Sequence, residues 1–411
     1  MKPMGPIPPD YAAAAAGMLL IGGERADVLA ERAGDTPLFV YDLGVVRARV
    51  AAFREAMPVG VALHYAIKAN PYPPLLAAMA ALVDGFDVAS EGELRLALDA
   101  GMLAPAISFA GPGKRDRELQ AAIRAGVTLN AESEGEVARA IAIAQGLGQP
   151  ARIAVRVNPD FDLKGSGMRM GGGAKPFGVD AARVPTLVRE IVASSAAEWR
   201  GFHIFAGSQS LDSAAIVEAQ AATLALVLEL SAESGAMAPT VNLGGGFGVP
   251  YFAGDRAIDL DTIGKSLSKQ LKNGKQSATS FAIELGRWLV AEAGVYLTRI
   301  VDKKISHGQT FLICDGGLHH QLAATGNFGT VVRRNYPLAL ARRFGTDDAL
   351  ETVSVVGPLC TPLDRLGDQL GLPAAAPGDL IAVFLAGAYG ATASPSAFLG
   401  HPPAQEILLN A

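Results

Sequence analysis

His64-Tyr-Ala-Ile-Lys-Ala-Asn-Pro71 is the stretch on which the reading of the fold turns. It has the texture of a short buried strand that ends on a lysine and then breaks at Asn70-Pro71 into a helix. A lysine there is costly, because its ammonium must either reach water or give up its proton. Snorkelling to the strand's end along its own stem is the ordinary outcome. The other outcome is a neutral amine that condenses with a carbonyl to give a Schiff base. The surrounding chain decides between them.

Working outward, short apolar strands alternate with helical patterns. Strands are predicted at His64–Ile67, Gly85–Ala89, Ile107–Ala110 and Thr128–Asn130, then at Arg152–Val157, Gly201–Phe205, Thr240–Leu243 and Phe281–Glu284. Between them the helical period covers Pro73–Leu82, Glu91–Ala100, Arg115–Ala125, Ser133–Gln145, Ala182–Ala193, Ser213–Ser234 and Asp261–Leu271. Such alternation over about 230 residues predicts an α/β fold of the (β/α)8 TIM-barrel type. On the N-terminal side, Pro9–Gly17 reads as a helix, Thr36–Asp42 as a strand, and the residues to about Met57 as an amphipathic helix. After Glu284 the texture changes to strands at Val295–Asp302, Thr310–Cys314, Glu351–Val356, Leu380–Leu385 and Gln405–Leu409, with Gly/Pro turns between them. The domain reading is a barrel over 36–290 and a mostly antiparallel β domain built from 1–35 and 291–411.

The chain has 411 residues, half of them hydrophobic, and a formal charge of -5 with no basic block. That balance disfavours nucleic acid as a partner. The apolar run Ala12–Gly23 is too short for a bilayer, which takes about 20 residues, and it lacks a basic leader. Two cysteines, Cys314 and Cys360, make neither a disulfide framework nor a structural zinc site, and no metal is expected. A cytoplasmic, membrane-free protein is the expectation.

In a barrel of this type, reactive groups gather at the C-terminal ends of the strands. Lys68 ends the first strand, Asp87 lies on the second and Arg156 on the fifth. The sixth is followed by Gly207-Ser208-Gln209, the seventh by Gly244-Gly-Gly-Phe-Gly248, and the eighth ends at Glu284. Taken alone, the glycine run is more often a turn than an anion site, and Glu284 could instead be just the salt-bridge partner of Arg287. Together they fall on one rim. Bare amides at Gly244, Gly245 and Gly246 suit a phosphate, Glu284 suits a pyridinium nitrogen and Lys68 suits an aldehyde, which describes pyridoxal phosphate.

On these residues the chain resembles the fold-type III pyridoxal-phosphate decarboxylases, the group of the diaminopimelate, ornithine and arginine decarboxylases. The resemblance rests on His64–Pro71, Phe86-Asp-Val-Ala-Ser-Glu-Gly-Glu93, Arg156-Val-Asn-Pro159, Gly207-Ser-Gln209, Gly244–Gly248, Glu284–Arg287, Gly357-Pro-Leu-Cys360 and Gly387-Ala-Tyr-Gly390. More narrowly, Gly201-Phe-His-Ile-Phe-Ala-Gly-Ser-Gln209, Asp315-Gly-Gly-Leu-His-His-Gln-Leu-Ala323 and Ala393-Ser-Pro395 are similar to the branch associated with exosortase A and exopolysaccharide clusters. The resemblance implies an alanine racemase-like barrel and a Schiff base at Lys68. It also implies Glu284 on the pyridine nitrogen, with Asp87 and Arg156 supporting the lysine and the ring oxygen. Ser208, Gly244–Gly246, Gly286 and Arg287 would hold the phosphate, helped by Tyr389. Cys360 would reach in from a second copy, so a homodimer is implied. After loss of carbon dioxide, Cys360 or Lys68 would return the proton.

Two departures from the family bear on substrate. Where relatives place a ring-stacking histidine, this chain has Phe205, with His203 two residues earlier, and alternation puts both on one face of the strand. Where relatives that act on diamino acids follow the cysteine with an acid, this chain has Cys360-Thr361-Pro-Leu-Asp364. Leaving a substrate ammonium unpaired is costly, so diaminopimelate, lysine and ornithine are expected to be poor substrates. Arg287, Asp315, Thr361 and Tyr389 are the candidate substrate contacts, with Asp364, His319 and His320 as further polar groups. Lys164, Arg169 and Lys175 on a glycine-rich loop, with Arg333 and Arg334, point to an anionic or carrier-protein-bound amino acid; their bland reading is a solvated lid. The competing readings are a racemase on the same barrel, which would need a base opposite the lysine, a diaminopimelate decarboxylase proper, and a catalytically dead binding protein.

Overall fold

The computed structural model describes residues 1–273, 278–326 and 333–411. It holds two compact units. One comprises Val50–Gly248 and Ile258–Gly286, the other Met1–Arg49, Val249–Ala257 and Arg287–Ala411.

The first unit is a barrel of parallel strands, β1 (Val61–Ala66), β2 (Gly85–Val88), β3 (Ile107–Phe109), β4 (Thr128–Ala131), β5 (Ala151–Asn158), β6 (Ala197–Ile204), β7 (Thr240–Gly245) and β8 (Ser280–Leu285). Neighbours in sequence pair in space, β8 pairs with β1, and β4 pairs with β5 to close the ring. All eight predicted strands are present. Each is buried on both faces where it counts: β2 and β3 are buried throughout, and β5 is buried at every residue but Arg152. That is the pattern of strands sealed between barrel interior and helices.

Helices α1 (Pro73–Met79), α2 (Glu91–Asp99), α3 (Asp116–Ala125), α4 (Glu134–Leu147), α5 (Val184–Ala193), α6 (Ser213–Ser234) and α7 (Leu260–Asn273) run between the strands. Two of them start on the same tetrapeptide, Ser-Glu-Gly-Glu. The Ser90 hydroxyl accepts the Glu93 amide at 3.1 Å and the Ser133 hydroxyl accepts the Glu136 amide at 3.1 Å, while the Glu93 carboxylate reaches back to the Ala89 amide. These capping contacts fix where the chain turns from rim to helix. On α3, Leu119, Ala122 and Ile123 form the buried stripe, and burying Leu119 or Ile123 contributes about 1.5–3 kcal/mol each. α6 is long and apolar enough to cross a membrane by composition, but Ile216, Leu224, Val227 and Leu230 are buried within the unit.

The second unit centres on an eight-stranded sheet. Its long strand Gly294–Ser306 pairs antiparallel with Gln309–Cys314, Leu380–Val383 and Leu38–Asp42. Two pairings are parallel: Gln309–Cys314 with Leu350–Val356, and Gln405–Leu409 with Leu38–Asp42. Leu38 and Val40 pack with Leu19, Ile21, Val295, Leu297, Ala382 and Phe384 in one core. The strand Leu38–Asp42 therefore belongs to this sheet and not to the barrel range 36–290, because its hydrogen-bond partners lie at 294–297 and 405–409.

Further differences from the sequence reading have clear causes. Pro9–Gly17 is no α-helix: Ala12–Ala13 pairs with Leu19–Ile21 across a 3₁₀ turn at Ala15–Gly17, and the helix comes later, at Ala26–Ala33. Complete burial of Leu19 and Ile21 outweighs the helix propensity of an alanine run with no apolar stripe. The strands Leu338–Leu340 and Arg365–Pro373 were not predicted; the second carries Gly367 and Gly371, which weaken its signature, and it is fixed by antiparallel pairing with Leu350–Val356.

Candidate active site

Strand β1 stops at Ala66, and Lys68 sits in a single 3₁₀ turn, Ile67–Ala69. Ile67 and Ala69 are buried while Lys68 between them is exposed, so the turn pushes the amine out at the rim. Its Nζ lies 5.8 Å from the centre of the Phe205 ring, which follows β6. Gly286 closes on the same turn: a Cβ there would stand 3.0 Å from the Ala69 Cβ and 3.3 Å from the Ala66 carbonyl.

Glu284 on β8 and His203 on β6 meet across β7, Nε2 to Oε2 at 2.9 Å, with both residues buried. Burial alone would lift the Glu284 carboxyl, but the hydrogen bond and charge of His203, with Lys68 and Arg156, hold it well below the usual carboxylate range, at about 2. It is thus kept as an anion inside the barrel. The alternation argument put His203 beside Phe205 at the mouth; instead His203 is sunk onto Glu284, while Phe205 neighbours Lys68.

Asp87 on β2 is buried, and its Oδ1 accepts from Ser108, whose hydroxyl also accepts from Asn130 Nδ2 at 3.1 Å. Its Oδ2 is buried without a partner among the described residues. Arg156 on β5 is held by Glu132 at 3.0 Å and lies over the Phe177 ring at 5.1 Å. Glu132 also accepts the Gly111 and Gly178 amides. The sequence reading did not single out Glu132. Its only signal was an acid directly after the Thr128–Ala131 strand, at the rim where Arg156 also stands.

The glycine turn after β7 is a cradle that side chains would fill. A Cβ on Gly245 would lie 1.9 Å from the Glu284 carbonyl, and Gly244 and Gly246 have φ of 68° and 75° with backbone carbonyls at 2.6 and 2.4 Å from such a Cβ. Only glycine fits this course, and the Gly244 amide within it donates to Asn242 Oδ1 at 2.9 Å. Ser208 lies on the short strand Gly207–Ser210, which pairs antiparallel with Ser166–Arg169, placing Ser208 opposite Met168. The glycine-rich loop is therefore tied to the Ser208 strand and is not a free lid. Lys164 is paired with Glu218, and the Arg169 side chain lies outside the described residues.

The remaining candidates belong to the second unit. Arg287 lies over the rings of Tyr389 (4.8 Å) and Tyr251 (5.5 Å) and donates to the Tyr251 hydroxyl at 3.3 Å. Tyr389 takes a left-handed backbone, φ 55°. Tyr251 was not foreseen, since a lone aromatic after a glycine turn carries no mark of what it stacks on. Asp315, expected to touch substrate, is spent on structure: it accepts from Thr36 at 2.5 Å, Thr298 at 2.7 Å and the Arg299 amide at 2.9 Å. Asp364 is likewise taken by the Leu318 and Leu359 amides. His319 and His320 are buried, not surface groups: His320 contacts the Tyr296 hydroxyl and the Pro402 carbonyl, and burial with its histidine neighbours drives His319 down to about 4. Cys360 and Thr361 sit on the Gly357–Asp364 loop with Cys360 exposed, whereas Cys314 is buried and its thiol is pushed up by burial.

The barrel residues fit pyridoxal phosphate. A cradle without side chains suits the phosphate, an anionic Glu284 suits a protonated ring nitrogen, and the orphaned Asp87 oxygen faces no competing partner among the described residues. Comparison with known proteins agrees. Residues 43–291 match the pyridoxal-binding domain of the pyridoxal-dependent decarboxylases. The L-glutamyl-[BtrI acyl-carrier protein] decarboxylase of Niallia circulans is 36% identical, over 91% of this chain and 89% of that one. The 2-[(L-alanin-3-ylcarbamoyl)methyl]-2-hydroxybutanedioate decarboxylase of Staphylococcus aureus is 30% identical over 90% and 93%. The crystal structure of Helicobacter pylori diaminopimelate decarboxylase complexed with L-lysine superposes with a TM-score of 0.81 at 29% identity, over 91% and 92% of the two chains. With a lysine, a carboxylate and a phosphate cradle on one barrel rim, and with relatives along nine-tenths of its length, the chain belongs to the pyridoxal-phosphate-dependent amino-acid decarboxylases.

Proposed function

We propose that this enzyme decarboxylates an amino acid with an anionic or neutral side chain, presented on a carrier protein as a glutamyl group would be, and that free diamino acids are poor substrates. The observation that carries this is the Gly357–Asp364 loop. Its only carboxylate, Asp364, is buried and bonded to two backbone amides, so the loop has nothing to offer a distal ammonium. A cation stands beside it instead: Arg333 donates to the Leu363 carbonyl at 3.3 Å. The carrier-bound substrate named for the Niallia circulans relative supports the same reading.

Bound pyridoxal phosphate supplies an electron sink for the carbon that loses carbon dioxide. Lys68 would bind its aldehyde, and Ser208 with the Gly245 and Gly246 amides would hold its phosphate, the Gly244 amide being taken by Asn242. Glu284, kept ionised by His203, would keep the proton on the ring nitrogen, an interaction worth most when charge develops in the transition state. Phe205 would give the ring an apolar face without a hydrogen bond. Arg156, fixed by Glu132, and Asp87 would hold the ring oxygen and the lysine. Cys360 or Lys68 would return the proton to the α-carbon. The exposure of Cys360 in a single chain supports a homodimer in which that residue completes the other copy's site, and its free thiol, with that of Cys314, supports a cytoplasmic setting. The Asp315–Ala323 and Ala393–Pro395 motifs support the exosortase-associated branch.

The test is carbon dioxide release under steady-state conditions from glutamyl-loaded carrier protein, free glutamate and diaminopimelate. The carrier-linked substrate is expected to lead in kcat/KM; efficient turnover of diaminopimelate would overturn the assignment.

A further inference from the structure

A second feature of the barrel interior is absorbed by none of these roles. His64 stands on β1 with Glu284 as its register partner on β8 and Gly85 as its partner on β2. Its Nδ1 is 3.4 Å from Asp87 Oδ1, long for a hydrogen bond but well inside ion-pair range. Asp87 is in turn bonded to Ser108, and Ser108 to Asn130, so the four side chains form one polar chain across β1 to β4. His64, Ser108 and Asn130 also line a cavity of about 200 Å³ with Thr128, Arg200 and Asn242. Ile107, Thr128 and Thr240, which begin their strands, line it too, so the cavity runs from the N-terminal ends of the strands up to His64, which is in register with Glu284. A cavity of that size, with His64, Ser108, Asn130 and Asn242 among its lining, has room for several waters at about 30 Å³ each.

We propose that His64 is a positioning residue for Asp87, acting from inside the barrel and taking its proton from the cavity at the N-terminal end of the strands. The proposal rests on the pyridoxal-phosphate reading for its consequence and on the His64–Asp87–Ser108 geometry for its existence. A protonated His64 donates to Oδ1 alongside Ser108, which orients the carboxylate and leaves Oδ2 for the cofactor side. The charged groups that face His64 are Asp87, Glu284 and Asp84, with Arg200 across the cavity. Burial works to lower its proton affinity, yet Asp87, Glu284 and Asp84 together raise it above the ordinary histidine value. The ion pair is therefore complete below about pH 6.5 and is lost as the pH rises through that raised value.

The experiment is an NMR titration of the six histidines in the cofactor-free chain, with His64 assigned by the signal missing from His64→Gln. His64 is expected to titrate above the ordinary value, and Asp87→Asn to lower its midpoint by about one unit or more. A midpoint at or below about 6.5 in the wild type, or one unmoved by Asp87→Asn, would overturn the proposal. Ala154→Val, which adds bulk to the cavity wall, should lower the midpoint by drying the ring; no change would remove the cavity from the account. In the loaded enzyme, His64→Gln should weaken cofactor retention about tenfold, with little further loss in the double variant with Asp87→Asn. Additive losses would contradict a shared role. Failure of the wild type to bind pyridoxal phosphate at all would strike the functional reading and leave the titration result standing.

Discussion

Glu284 is held as an anion by His203, with Lys68 and Arg156, and that has consequences at the scale of single residues. Its carboxyl is depressed from the ordinary 4.5 to about 2, so the stabilisation it gives is complete above about pH 4.5 and drains away as the pH falls through 2. Glu284→Gln removes that dependence. It should also cost decarboxylation about a hundredfold or more in kcat, since a neutral amide cannot keep the ring protonated; a pH–stability curve and steady-state rates check both. Glu132 offers a second test. Removing it leaves Arg156 buried without its partner, and Glu132→Ala should destabilise the fold by about 3–5 kcal/mol, read from denaturant unfolding. Neither His203's contact nor Glu132's was legible from the chain. Alternation says which face a side chain is on, but not which strand it will reach across the barrel.

The elements were more legible than the contacts they make. Eight strands and the helices between them could be read because each strand is apolar over its buried length and each helix has its own stripe or cap, as in the two Ser-Glu-Gly-Glu starts. What sequence patterning missed lies where local preference loses to pairing, as at Ala12–Gly17 and Arg365–Pro373. In the proposed reading the glycine turn at the end of β7 holds the phosphate. Gly245→Ala would press a methyl against the Glu284 carbonyl, so cofactor retention should fall about tenfold or more together with the melting temperature. Equilibrium dialysis of pyridoxal phosphate and a thermal melt measure the two effects. A variant that melts earlier but binds normally would show that the turn is structural only.

For the whole molecule, the family and cofactor follow from residues spread along most of the chain, and the substrate does not. On the proposed reading, a few loop positions such as Thr361 set side-chain preference. Thr361→Glu should raise diaminopimelate turnover about tenfold relative to the wild type, by giving a distal ammonium a partner in the Gly357–Asp364 loop; an unchanged ratio of kcat/KM values would locate specificity elsewhere. The claim on which everything else depends is that Lys68, alone among the lysines, carries the cofactor. Borohydride reduction of the loaded enzyme followed by peptide mass spectrometry tests it directly. A phosphopyridoxyl group fixed to the peptide containing Lys68, and lost in Lys68→Ala without loss of folding, is the predicted result. The same group on another lysine, or none on Lys68, would contradict the account.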